Sequence, residues 1–165
     1  MNELKDIIWA LLTQERGMRL PRLIKEVYLV DWKCAFNYPP RPCNFKWVYG
    51  PCGPTSEKII GCVQQNSDLF RIEETTNKMG LLVKTIYRQD VEHVPVLSQD
   101  VMKAIELVNN VATPKTWEAL SLLVSSTYPI MQSSMLSDID IERFAKEYQE
   151  MLKYRLAASA EQKPS

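Results

Sequence analysis

Chemistry in a protein starts from its nucleophiles, bases and metal ligands, and this chain holds few of them. Its four cysteines, Cys34, Cys43, Cys52 and Cys62, fall nine, nine and ten residues apart, and its one histidine is His93. Zinc sites draw paired ligands from one tight turn, so a spacing with no C-x-x-C pair argues against a finger or ribbon. No metal and no other cofactor is expected. A serine or cysteine nucleophile needs a positioned base, normally histidine. His93 lies in Asp90-Val91-Glu92-His93-Val94-Pro95, a polar connector ahead of a helix, and reads as an exposed loop histidine rather than a catalytic base. A cysteine paired with His93 stays open as the enzymatic alternative, with no local motif behind it.

Two further constellations resemble sites and are better read as structure. Gly50-Pro51-Cys52-Gly53-Pro54-Thr55-Ser56-Glu57-Lys58 is rich in glycine like a phosphate loop. It lacks the Gly-Lys-Ser/Thr ending, and its two prolines remove amides that a phosphate would need. A rigid turn with a helix N-cap at Thr55 accounts for it. The carboxylates Asp138 and Asp140, and Glu147 and Glu150, read as solvated helix starts and faces rather than an acid/base pair. No catalytic residue is assigned, and the chain is expected not to be an enzyme.

Composition sets the class. The chain has 165 residues, of which 45% are hydrophobic and 24% charged, the proportions of a globular domain and not of a disordered one. Twenty Lys plus Arg balance twenty Asp plus Glu, so phosphate neutralisation alone gives no basis for wrapping nucleic acid. The charge is nevertheless uneven. Residues 15–47 carry a balance of +4, through Arg16, Arg19, Arg22, Lys25, Lys33, Arg41 and Lys46 against three acids, and residues 138–150 carry −3. Either the basic face steers an acidic partner, or the two regions face each other within the molecule. The apolar run Ile7 to Leu12 is too short, and too acidic in its lead, for a secretory signal, and no stretch approaches a membrane span. A cytoplasmic location with reduced thiols is the expectation, with no membrane partner.

The elements that must position these residues are mostly helical by period. Leu4, Ile7, Ile8, Leu11 and Leu12 predict a helix over 3–14, and Pro21 opens a second that ends before Pro39-Pro40-Arg41-Pro42. Asn44 to Val48 reads as a short extended stretch, and a helix follows over about 55–65. Phe70, Ile72, Leu82, Lys84 and Ile86 bracket a turn and predict one hairpin. Ser98 caps the next helix, Thr113-Pro114 starts another that Tyr128-Pro129 stops, and Asp138 or Asp140 opens the last. The expected fold is therefore mainly α: a single compact helical domain of about six helices with one small β-hairpin. The domain spans 1–156, and 157–165 is read as a flexible C-terminal tail.

Two stretches resemble a known family. Lys25-Glu26-Val27-Tyr28-Leu29-Val30-Asp31-Trp32-Lys33, followed by Phe45-Lys46-Trp47-Val48-Tyr49-Gly50-Pro51, is similar to the front half of the Panacea domain, the SocA-like antitoxin family. That family carries a Lys-x-x-Tyr-Leu-x-Asp-Trp helix and then Trp-x-Tyr-Gly-Pro leading into another helix. Leu122 to Ile130, with Ser-Thr-Tyr-Pro-Ile, and Asp138 to Tyr148 resemble the back half of one branch. The ordered set covers roughly residues 20–150. The block Pro39-Pro40-Arg41-Pro42 and the Cys52-Gly53 pair depart from the pattern.

The resemblance implies an antitoxin of a bacterial or phage-borne toxin–antitoxin system, a setting that includes phage defence. It would neutralise a cognate protein toxin by direct binding. Alarmone-synthetase-like toxins, and others that block translation or replication, are partners in that family. Alternatives are a proteolytic adaptor for the toxin and a nucleic-acid-contacting regulator using residues 16–46, although nucleic acid is not the expected partner. Lys33, Lys46, Trp47, Tyr49 and Pro51 are the candidate partner-binding residues, aromatic anchors with cations beside them. The competing reading places Tyr28, Trp32, Trp47 and Tyr128 in the core.

Overall fold

The computed structural model describes residues 3–13 and 16–161. Its organising element is α2 (Leu20–Asn37), an 18-residue helix with Pro21 in its first turn. Leu23, Val27, Tyr28, Val30 and Cys34 have no exposed surface, and ten residues of the helix are buried. Such a helix is apolar on more than one side and must be surrounded. Around it pack α1 (Glu3–Leu11), α4 (Gln99–Ala112), α5 (Trp117–Ser125) and α7 (Ile141–Glu161). An aromatic cluster joins α2 to α7, with Trp32, Phe36, Tyr148 and Tyr128 at centroid distances of 5.0 to 6.0 Å.

Two antiparallel sheets complete the structure. In one, β1 (Met18–Arg19), β5 (Leu82–Arg88) and β4 (Phe70–Thr76) lie in that order, with Met18 opposite Ile86 and Ile72 opposite Ile86 on the other side. In the other the order is β3 (Gly53–Thr55), β2 (Trp47–Gly50) and β6 (Asp138–Ile139), with Val48 paired to both Thr55 and Asp138. The remaining helices are α3 (Glu57–Gln65) and the one-turn α6 (Tyr128–Gln132).

This architecture corrects the expected fold class. The described residues form an α/β mix, 54% helix and 16% strand, with seven helices and two three-stranded sheets rather than a mainly α domain with one hairpin. The predicted hairpin is present as β4–β5. The second sheet was invisible because its strands are two to four residues long, too short to display a period of two. Its β2–β6 pairing also reaches across about ninety residues. Tyr49 to Pro54, expected as a rigid turn, is in fact the hairpin β2–β3.

Helix boundaries shift in the same way. The first helix ends at Leu11, short of the expected 14, and position 14 lies outside the described residues. Ser56, not Thr55, caps α3, and Thr116, not Thr113, caps α5. Tyr128-Pro129 starts α6 instead of ending a helix, since proline suits a first turn as well as a stop. Asp140 caps α7 through its Oδ1, which accepts the Arg143 amide at 3.1 Å. That helix continues through Glu161, five residues into the segment read as tail, while 162–165 lie outside the described residues.

Candidate functional site

The site begins with a ladder of polar side chains on a buried helix face. Lys25, Tyr28 and Asp31 are three residues apart, so they fall within an arc of about 120° on α2. Burial of an unpaired polar group is costly, and each of the three reaches a different segment of chain. The Lys25 ammonium donates to the carbonyl of Cys52 in the β2–β3 turn and lies 5.1 Å from the ring centroid of Trp117. Burial pushes this lysine's pKa down from its ordinary value. The Tyr28 hydroxyl is 2.8 Å from Thr127 Oγ1, just before α6.

Asp31 has no exposed surface and holds the loop that follows α2. Its Oδ2 accepts from Arg41 Nε at 3.0 Å and from Trp47 Nε1 at 2.8 Å, and its Oδ1 accepts the Cys43 amide at 3.0 Å. Arg41 also donates to the Phe45 carbonyl at 2.6 Å. Burial raises the Asp31 pKa, while the guanidinium, the indole N–H and the Cys43 amide pull it the other way. Asp31 thereby sets the entry to β2, and β2 carries Tyr49.

Tyr49 is half-buried and lies in the middle of the small sheet. Its amide donates to Ser137 O at 2.9 Å, and its carbonyl accepts the Leu136 amide at 2.7 Å. Leu136 has φ of 70°, a left-handed conformation that a leucine rarely adopts, and its side chain is 75% exposed. Met135, its neighbour, is also exposed, as is Pro51 at the tip of the hairpin. Gly53 stands at φ 109°, and a Cβ there would come 2.9 Å from Lys25 Nζ. The glycine lets the turn close onto the lysine.

The five candidate partner-binding residues therefore separate. Tyr49, half-buried and packed on one side against the core, and the exposed Pro51 both lie on the β2–β3 hairpin. Lys46 is exposed at its margin, with its Nζ 3.9 Å from Asp138. Trp47 is fully buried between Tyr28 and Phe45, at 5.6 and 5.1 Å, and belongs to the core. Lys33 is half-buried on α2, two turns beyond the lysine that does touch the hairpin, and no described ion pair or hydrogen bond ties it to β2 or β3. Asp31 pairs with Arg41 and not with Lys33. The core reading of Tyr28 and Trp47 holds, with Trp32 and Tyr128 packed half-buried against it.

The basic and acidic regions do meet within the molecule, through Arg41 with Glu142 and Lys46 with Asp138, both at 3.9 Å. Leu136, Met135 and Lys25 are the residues that reading the sequence missed. The first two carry no motif. The lysine was visible in the three-residue spacing of Lys25, Tyr28 and Asp31.

The possible nucleophiles and base lie elsewhere. Burial pushes the Cys34 thiol up to about 12 and Cys62 to about 11, and raises Cys43 well above its usual value. Cys52 alone is exposed. His93 is not the exposed loop histidine expected: its Nε2 is 2.7 Å from Asp6 Oδ1, and its ring stands edge-on to Trp9 at 5.0 Å. Asp6 Oδ2 also accepts the Val96 amide at 3.1 Å, so this pair fastens the 89–97 connector to α1. Among the described residues no group of three or more His, Cys, Asp or Glu is placed to hold a metal ion. No described helix is long and apolar enough to cross a membrane. Comparison with protein-family models, curated proteins and solved structures finds no match to this chain.

Proposed function

We propose that this protein is an antitoxin that neutralises a protein toxin by direct binding, through the face formed by Tyr49, Pro51 and Leu136. The observation that carries the surface is Leu136. An exposed leucine in a left-handed conformation combines backbone strain with unburied apolar area, and both are kept where a surface has work to do. The Leu136–Tyr49 hydrogen bond holds it beside an aromatic residue, the residue type that most often anchors interfaces. Lys46 places a cation at the rim, where charge steers association. The antitoxin reading itself rests on the Panacea-like order of motifs from Lys25 to Tyr148, and that family's toxins, alarmone-synthetase-like enzymes among them, are the proposed partners.

The reading assigns no catalysis to the chain. Burial raises the pKa of three of the four thiols, and no described hydrogen bond joins a cysteine, the exposed Cys52 included, to His93, so the reading rests no step on a cysteine–histidine pair.

The test is co-expression with the product of the adjacent reading frame, scoring growth and co-purification. A neighbour that arrests growth alone, and is rescued in a stable complex, supports the reading. Tyr49→Ala and Leu136→Asp, checked for native circular dichroism, are then expected to weaken the complex tenfold or more, about 1.4 kcal/mol. A harmless neighbour with nothing co-purifying overturns the function at that locus. Rescue by a complex that ignores both substitutions overturns the surface.

A further inference from the structure

A second feature stands apart from the partner face in its chemistry. A groove of about 690 Å³ opens where the start of α2 and the strand β1 meet the C-terminal end of α4. That volume lies within the range of small-molecule sites, roughly 300–1,000 Å³, which are apolar cavities with a few convergent polar groups.

Its floor is Glu26, whose side chain is only 2% exposed. Oε2 of this carboxyl accepts from Arg22 Nε at 3.1 Å, and Oε1 has no hydrogen-bond partner among the described residues. Arg22 is itself committed, because its other nitrogens donate to the carbonyls of Ala112, the last residue of α4, and Lys115 in the turn beyond it. The arginine thus fixes the carboxyl without filling its second oxygen. Trp117, 40% exposed, lines the same groove, with the Lys25 ammonium over its ring at 5.1 Å from the centroid. Asn109 adds an amide. Arg16 and Arg19 are exposed at the mouth, and neither has a carboxylate within 4 Å among the described residues.

A buried acceptor at the floor, an indole on the wall and two guanidinium groups at the opening ask for one kind of molecule. It has a flat ring with N–H donors on one edge and an anionic group at the other end. We propose that this groove binds a purine nucleoside monophosphate of the guanine type, its N1–H and amino edge on the free oxygen of Glu26, its ring against Trp117 and its phosphate at Arg19 and Arg16. Guanine presents two adjacent donors, N1–H and the amino group, to the carboxyl, whereas adenine presents one amino donor beside a ring acceptor, so adenine makes one hydrogen bond fewer and sets a lone pair beside an oxygen. Arginine suits the phosphate because its planar fork matches two oxygens at once. The proposal stands independently of the antitoxin reading.

Isothermal titration of the full chain with GMP at pH 8 and low salt tests it, with AMP and inorganic phosphate as competing probes. Saturable one-site binding of GMP is expected, at least tenfold tighter than AMP or phosphate. Glu26→Gln is expected to erase the preference for GMP over AMP. Arg19→Glu, which keeps the backbone pairing with Thr85 and changes an exposed side chain with no described hydrogen bond or ion pair, is expected to weaken GMP tenfold or more while native circular dichroism is kept. The proposal is overturned if GMP gives no saturable heat at millimolar concentration, or if all three probes bind alike. It is also overturned if Arg19→Glu binds GMP as the wild type does.

Discussion

Asp31 illustrates how a single buried residue can place a whole loop. Its two oxygens take three donors from positions 41, 43 and 47, and none of those donors has a second acceptor of comparable quality nearby except Arg41, which also reaches Phe45. Asp31→Ala would leave a guanidinium, an indole N–H and an amide without their acceptor in a dry site. Removing one partner of a buried charge pair typically costs about 3–5 kcal/mol, and a loss of that size is expected in urea unfolding. A change below about 1 kcal/mol would mean that the loop is held by something else. The sequence made Asp31 conspicuous but not its partner. Lys33 is only two positions on, yet residues two apart point to different sides of a helix, so the arginine ten positions on takes the contact. His93 was misread for a related reason: its partner, Asp6, is 87 residues away, and no local pattern announces such a pair.

At the scale of elements, helices declare themselves and short strands do not. Ser98 was legible as a cap, and its hydroxyl accepts the Val101 amide at 3.2 Å at the head of α4. Ser98→Ala is expected to cost about 1 kcal/mol in thermal or urea unfolding, because one amide of the first turn loses its partner. Substitution by Asp, which also caps, is expected to restore the loss. The sheet β3-β2-β6 was not legible. Its outer strands hold three and two residues, one of them the proline-containing Gly53-Pro54-Thr55, and their pairing is decided by tertiary contacts rather than by propensity. The face proposed to meet a toxin was consequently read in half. Tyr49 and Pro51 belong to a recognisable motif, whereas Leu136 arrives from the far side of β2.

For the molecule as a whole, Glu26 ties stability to pH. Desolvation lifts its carboxyl from 4.5 to about 7, outweighing the Arg22 charge. An acid whose pKa is higher in the folded state holds its proton more tightly there than in the unfolded chain. Its contribution is therefore complete below about pH 4.5 and is lost as pH rises through about 7, to a total of roughly 3 kcal/mol. The difference in unfolding free energy between wild type and Glu26→Gln is expected to shift against the wild type by up to that amount between pH 5 and pH 8. A difference that does not vary with pH would show that the carboxyl keeps an ordinary pKa.

The small sheet has a consequence in time as well as in space. β2 is made early, but the strand that covers its second edge, and the Leu136 amide that meets Tyr49, come almost ninety residues later. At a synthesis rate of roughly 5–20 residues per second, a nascent chain waits on the order of 5–20 s with that edge open. An open edge is a template for any passing strand. The same interval separates the appearance of Tyr49 from the completion of the face it belongs to, so a growing chain acquires its proposed binding surface only once Leu136 and the strand after it have been made.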